Sequence, residues 1–173
     1  MFTVGDLSTV VHALEEFDDL GLLIICLVSS NRPMLIAYDI SSGLITLVKR
    51  FYNQVDCMCT RIARGRTGED EFAIAIVKDT SLSVSGTKPA IITFKTDLTA
   101  TAEFRLTSYW EKVKALKYDA LTEKYITAIR SEEPVYGFST TQPGIIIGKF
   151  VRDTLALDSA IQVSADFGVL NEV

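Results

Sequence analysis

A single histidine, His12, is all that this 173-residue chain offers to histidine chemistry. A Ser-His-Asp or Cys-His nucleophilic site would have to use it, and no signature of either surrounds it. His12 reads as an ordinary strand histidine. Cysteine is scarce too: Cys26, Cys57 and Cys59 are odd in number and lie in apolar segments. A secreted disulfide framework is denser and even-numbered, so the expectation is reduced thiols in a reducing, cytoplasmic setting. Cys57 and Cys59 stand two apart on an expected strand, which puts both on one face. Structural zinc sites favour a longer spacing and need further ligands, for which only Cys26 and His12 are of the soft type. Two metal-free core thiols are expected, and no cofactor.

Long hydrophobic runs are missing as well. The longest, Leu20 to Val28, is broken by Gly21 and falls short of the roughly 20 apolar residues of a membrane-spanning helix. Asp6, Glu15, Glu16, Asp18 and Asp19 precede it where a signal peptide would be basic. No Asn-x-Ser/Thr sequon occurs. There is no basic excess: 17 Lys and Arg face 22 Asp and Glu, a net charge of −5, which argues against broad nucleic-acid binding. With 48% hydrophobic and 23% charged residues the chain has the means to bury a core, so disorder is excluded.

What is present is a repeat. Pro33, Pro89 and Pro134 stand directly before three similar segments: Met34 to Asp39, Ala90 to Lys95, and Val135 to Ser139. Proline cannot donate to a strand ladder, so it suits a strand start. Each segment has apolar neighbours five to seven residues long, rich in Val, Ile, Phe and Thr and bounded by Gly, Pro, Ser or Asp. That composition reads as strands. Around Pro33 they are Leu22 to Val28 and Leu44 to Val48; around Pro89, Phe72 to Val77 and Thr101 to Leu106; around Pro134, Tyr125 to Ile129 and Ile145 to Phe150. A fourth strand opens each unit, at Val10 to Leu14, Val55 to Ile62 and Val113 to Tyr118, with Leu155 to Leu157 opening a last one. The units then span approximately 10–54, 55–112, 113–154 and an incomplete 155–173. Leu7, Val10, Val11 and Leu14 also share a helical face, so a short helix over Leu7 to Phe17 is a second reading there.

Four short antiparallel strands in each unit of this length describe a propeller blade. The stretch Tyr38-Asp39-Ile40-Ser41-Ser42-Gly43 resembles the aromatic-Asp-turn-Gly ending of WD40 third strands, with Tyr in place of Trp. Phe94-Lys95 and Phe138-Ser139 keep the aromatic without the Asp, and no unit has the family's Gly-His pair. The resemblance implies an all-β fold of about three and a half propeller-like units. Since propellers typically close with four to eight blades, either the chain is part of a longer protein or its end faces would need a partner or a second copy. A single β-sandwich or barrel is the competing fold.

Of the remaining candidates, Arg61, Arg64 and Arg66 with Gly65 and Gly68 could form a loop holding a phosphate or an RNA backbone. No Gly-Lys-Ser/Thr follows, and Glu69, Asp70 and Glu71 would offset its charge. The acidic pairs Glu15-Glu16, Asp18-Asp19 and Glu132-Glu133 lack calcium-loop spacing and read as solubilising turns. Tyr109 and Trp110 could anchor a partner if exposed. Val169 and Leu170 would lie on an uncovered end face. No catalytic constellation stands out, so the sequence reads as a non-catalytic interaction or scaffold module whose partners are other protein subunits or a second copy of itself.

Overall fold

Alternating or wholly apolar runs of Val, Ile, Phe and Thr, cut by Gly and Asp turns, become twelve strands and no α-helix in the residues that the computed structural model describes, namely 10–28, 35–52, 57–78, 88–106, 112–131 and 144–163. The first sheet contains β1 (Val10–Phe17), β2 (Leu22–Val28), β3 (Leu35–Asp39) and β4 (Thr46–Tyr52). The second contains β5 (Cys57–Arg64), β6 (Glu71–Lys78), β7 (Ala90–Lys95) and β8 (Ala100–Arg105). The third contains β9 (Lys112–Asp119), β10 (Lys124–Ser131), β11 (Gly144–Val151) and β12 (Leu157–Val163). Each sheet is an antiparallel meander in chain order. The described strands therefore make three sheets, not the two of a sandwich, and none closes into a barrel.

Local irregularities repeat with the sheets. The opening strands β1, β5 and β9 each carry a bulge near their start, at His12, Thr60 and Lys114. The third and fourth strands of each sheet slip register beside Tyr38, Phe94 and Phe150. These three aromatics are spaced by 56 residues in both intervals. A bulge raises local twist, so a bulge at the same place in successive sheets gives them similar curvature.

The sheets stack in order. One apolar cluster joins the first to the second: Phe17, Ile24, Cys26, Leu35 and Ala37 meet Phe72, Ile74, Ile76, Ile92 and Phe94. Another joins the second to the third: Ala63, Ala73, Ala75 and Ile91 meet Val113, Leu116, Tyr125, Ile129, Ile146 and Phe150. The opening strands are neighbours, β1 against β5 and β5 against β9. The second sheet is thus covered on both faces, and Phe72 to Ile76 and Ala90 to Phe94 are buried without alternation. In β11 buried and half-buried residues alternate, as one-sided cover requires.

Several expectations change here. The next described strand after β10 is Gly144–Val151, which pairs with it in continuous register from Lys124 opposite Val151 to Ser131 opposite Gly144. The Pro134 segment, with Tyr136 and Phe138, lies outside the described residues. Leu157–Val163 pairs with β11 and completes the third sheet instead of opening a fourth unit near Leu155. Leu155 itself sits in the intervening turn at φ 51°. Over Val10–Phe17 the helical reading fails, because the backbone pairs with β2 along its length. Ile36, Ile92 and Phe94 are buried on strands as expected, while Tyr38 is half-buried.

Cys59 is not a free thiol. It forms a disulfide with Cys26, on strands of different sheets whose Cα atoms stand 5.4 Å apart, inside the usual span for such a bond. The expectation of reduced core thiols considered one strand at a time, and the partner comes from across a sheet interface. Both cysteines are buried in the first apolar cluster, so the bond ties the first sheet to the second from within. The cysteines therefore no longer argue for a reducing compartment.

Candidate functional site

In a meander the turns β1–β2, β3–β4, β5–β6, β7–β8, β9–β10 and β11–β12 all fall at one end of the sheets, and this rim gathers most of the charged side chains singled out above. Gly21 closes the 3-10 turn of Asp18–Leu20 at φ +62°, and a Cβ there would stand 2.6 Å from that of Ser41, so the β1–β2 and β3–β4 turns of the first sheet pack only around glycine. Asp18 and Asp19 are thereby held toward the second sheet.

Arg64 ends β5 and meets them. Its Nη1 donates to Asp18 Oδ1 at 3.0 Å, its Nη2 to Asp19 Oδ1, and its guanidinium lies 4.8 Å from the centre of the Phe17 ring. Asp19 Oδ2 also accepts from the Gly68 amide at 2.7 Å. Partial desolvation acts to raise the Asp19 carboxyl, but the Arg64 hydrogen bond, the Gly68 amide and the Arg64 charge together hold it below the usual range. Arg66 pairs with Glu123 of the third sheet at 3.2 Å. Arg61 lies inside β5, where its Nε donates to the Lys114 carbonyl of β9 at 2.9 Å and its Nη1 to the Thr60 carbonyl at 2.6 Å. The three arginines expected to form one loop are therefore divided. One is bonded to the first sheet and two to the third.

The third sheet answers with Arg152, whose Nη1 reaches Glu69 Oε2 at 2.8 Å while its Nε donates to Asp153 at 2.8 Å. Asp153 and the neighbouring carboxylates hold the Arg152 guanidinium more firmly protonated than usual. The Tyr125 hydroxyl lies 3.4 Å from Glu71 Oε1. Burial pushes the Glu71 carboxyl up, against the opposing charge of Arg152. Burial pushes the Tyr125 phenol up as well, aided by Glu71. Gly65 permits this closeness: its amide donates to the Glu71 carbonyl at 2.9 Å, and a Cβ would stand 3.2 Å from the Tyr125 hydroxyl.

The rim is thus an electrostatic clamp between sheets, with its cations matched by carboxylates. Its pH dependence follows from two opposed sets. Carboxylates held low, Asp19, Asp39, Asp119 and Asp158, stabilise the fold above about pH 4 and stop doing so as pH falls through their lowered values. Glu15 and Glu71, raised by burial, act in reverse: their contribution is complete below about pH 4.3 and is lost as pH rises through their folded values. The urea midpoint should therefore be highest near about pH 5 and fall steeply below about pH 4. A midpoint still rising from pH 4 down to pH 2 would contradict the lowered carboxylates.

Two further surfaces are the outer faces of the end sheets. Strand alternation and register place Leu14, Glu16, Leu23, Ile25, Ile36 and Tyr38 on the face of the first sheet turned away from the second. Leu14 is 58% exposed, Leu23, Ile25 and Tyr38 are half-buried, and Ile36 is buried. On the opposite end, Lys117, Ile126, Ala128, Ile147, Lys149 and Ile161 share the outer face of the third sheet, with Ile161 68% exposed. These faces were foreseen only in outline, since the residues expected to mark one of them, Val169 and Leu170, lie outside the described residues. So do Tyr109, Trp110, Glu132 and Glu133. His12 falls on β1 and Cys57 on β5, with their side chains likewise outside the description. Among the described residues no group of three His, Cys, Asp or Glu is placed to hold a metal, and no helix is long and apolar enough to cross a membrane.

Comparison with protein-family models, with curated proteins and with solved structures finds no match to the chain.

Proposed function

We propose that this chain is a non-catalytic protein–protein interaction or scaffold module, a propeller-type array of WD40-like blades acting within a larger intracellular assembly. The observation that carries this reading is the contrast between the second sheet, packed on both faces against described sheets, and the end sheets, each packed against a described sheet on one face. Exposed apolar surface of sheet size is rare on soluble monomers and marks places where another protein sits. Leu14 and Ile161 are its most exposed members on the two ends.

The alternative, a phosphate- or RNA-contacting module at Arg61 to Gly68, is weakened by the carboxylates that already occupy Arg64 and Arg66. Salt separates the two readings. An apolar protein interface should survive high salt, so the native complex should stay heavier than the 19.1 kDa of one chain in 0.5 M salt, as read by sedimentation. A fluorescent RNA oligonucleotide should bind no better than to a neutral control protein. RNA binding that falls steeply with salt and disappears in Arg64→Ala would transfer the assignment to the alternative.

A further inference from the structure

The molecule makes the same joint twice. The second sheet presents Phe72 and Phe94 to the first, and the third presents Tyr125 and Phe150 to the second. In each case the two rings are cross-strand partners, Phe72 opposite Phe94 and Tyr125 opposite Phe150. The corresponding pair in the first sheet is Leu23 opposite Tyr38, and among the described sheets none lies against it. The receiving side repeats as well. Ala75 and Ile91, paired across β6 and β7, accept the third sheet's rings, and Ala128 opposite Ile147 stands in their place on the third sheet's outer face. One end of the array therefore carries an inserting face and the other a receiving face, each built on the plan of faces that are mated inside. Their charges are opposite: Glu16 pairs with Leu23 on the inserting face, while Lys117 and Lys149 flank Ile126 on the receiving face.

Resting on the interaction-module reading, we propose that these faces mate between two copies of this chain, the first sheet of each on the third sheet of the other. Head-to-tail contacts close when the rotation permits, and two arrays of three sheets related by a two-fold axis leave neither face uncovered. The resulting ring of six sheets falls within the usual four to eight blades of a propeller.

The test uses the purified chain at micromolar concentration and two substitutions at exposed positions, Leu14→Lys on the inserting face and Ile161→Glu on the receiving face. Circular dichroism and the melting point should show each variant folded. The wild type should sediment at twice 19.1 kDa, and each variant should dissociate with a constant weakened roughly tenfold or more. An equimolar mixture of the two variants should recover dimers, because one joint between unlike chains is unaltered. A wild-type monomer, an open-ended polymer, or a dimer sensitive to only one of the substitutions would overturn the ring. A monomer that still binds a hydrophobic dye, with dye binding lost in Leu14→Lys, would overturn the ring and keep the interaction module. A monomer binding no dye would remove both.

Discussion

Replacing Phe72 with Ala should lower the unfolding free energy by about 4 kcal/mol, the largest effect expected of any single side chain here. Phe72 is completely buried at the joint between the first two sheets, stacked on Phe94 at 5.6 Å and edge-on to Phe17 at 5.8 Å. Truncation removes its own burial, leaves a cavity that three strands cannot close, and deletes two ring contacts worth about 0.5–1.5 kcal/mol each. The denaturant midpoint should shift accordingly with little change in slope. Leu121→Ala, at a turn position 92% exposed, provides the comparison and should stay within about 0.5 kcal/mol of wild type. A Phe72→Ala loss below about 1 kcal/mol would mean that the first two sheets are not joined through this cluster.

Breaking the Cys26–Cys59 bond should cost about 3–4 kcal/mol, the value that chain entropy assigns to a loop spanning the observed sequence separation of 33. Cys26→Ser and Cys59→Ser should lose similar amounts, and the double variant little more, because either substitution already opens the loop. The thiol count checks the premise separately. Under denaturing, non-reducing conditions one reactive thiol per chain is expected out of the three cysteines, and reduction should raise this to three. Three thiols before reduction would show the cysteines unpaired in the isolated protein.

Strand positions were legible because local chemistry is sufficient for them. Pro89 followed by Ala90 to Lys95 announces a buried strand, and β7 begins directly after that proline. The order of the first two sheets followed from the same signals. The third sheet was read less well: Gly144–Val151 lies along β10, and Leu157–Val163 closes this sheet where the sequence suggested the start of another unit, because pairing is decided by which segments meet and not by local composition. A different reading of the same letters points correctly: Tyr38, Phe94 and Phe150 recur at a constant 56 residues, and they are the structurally equivalent aromatics. The disulfide and the rim could not be read along the chain. Cys26 meets Cys59, Arg64 meets Asp18 and Asp19, and Arg152 meets Glu69 only because separate sheets stack with their turns at one end. A loop rich in arginine and glycine looks like an anion site until the carboxylates of its neighbours are placed beside it.

Hydrogen exchange compared between the wild type and Leu14→Lys tests most directly the claim that the centre of this array is complete while its ends await another surface. Amides of β6 and β7 should exchange last in both proteins, since the second sheet is covered on both faces by the chain itself. Amides of β2, β3, β10 and β11 should be protected in the wild type and exchange distinctly faster in the variant. Equal protection of the end sheets in both proteins, or loss of protection centred on β6 and β7, would contradict the account.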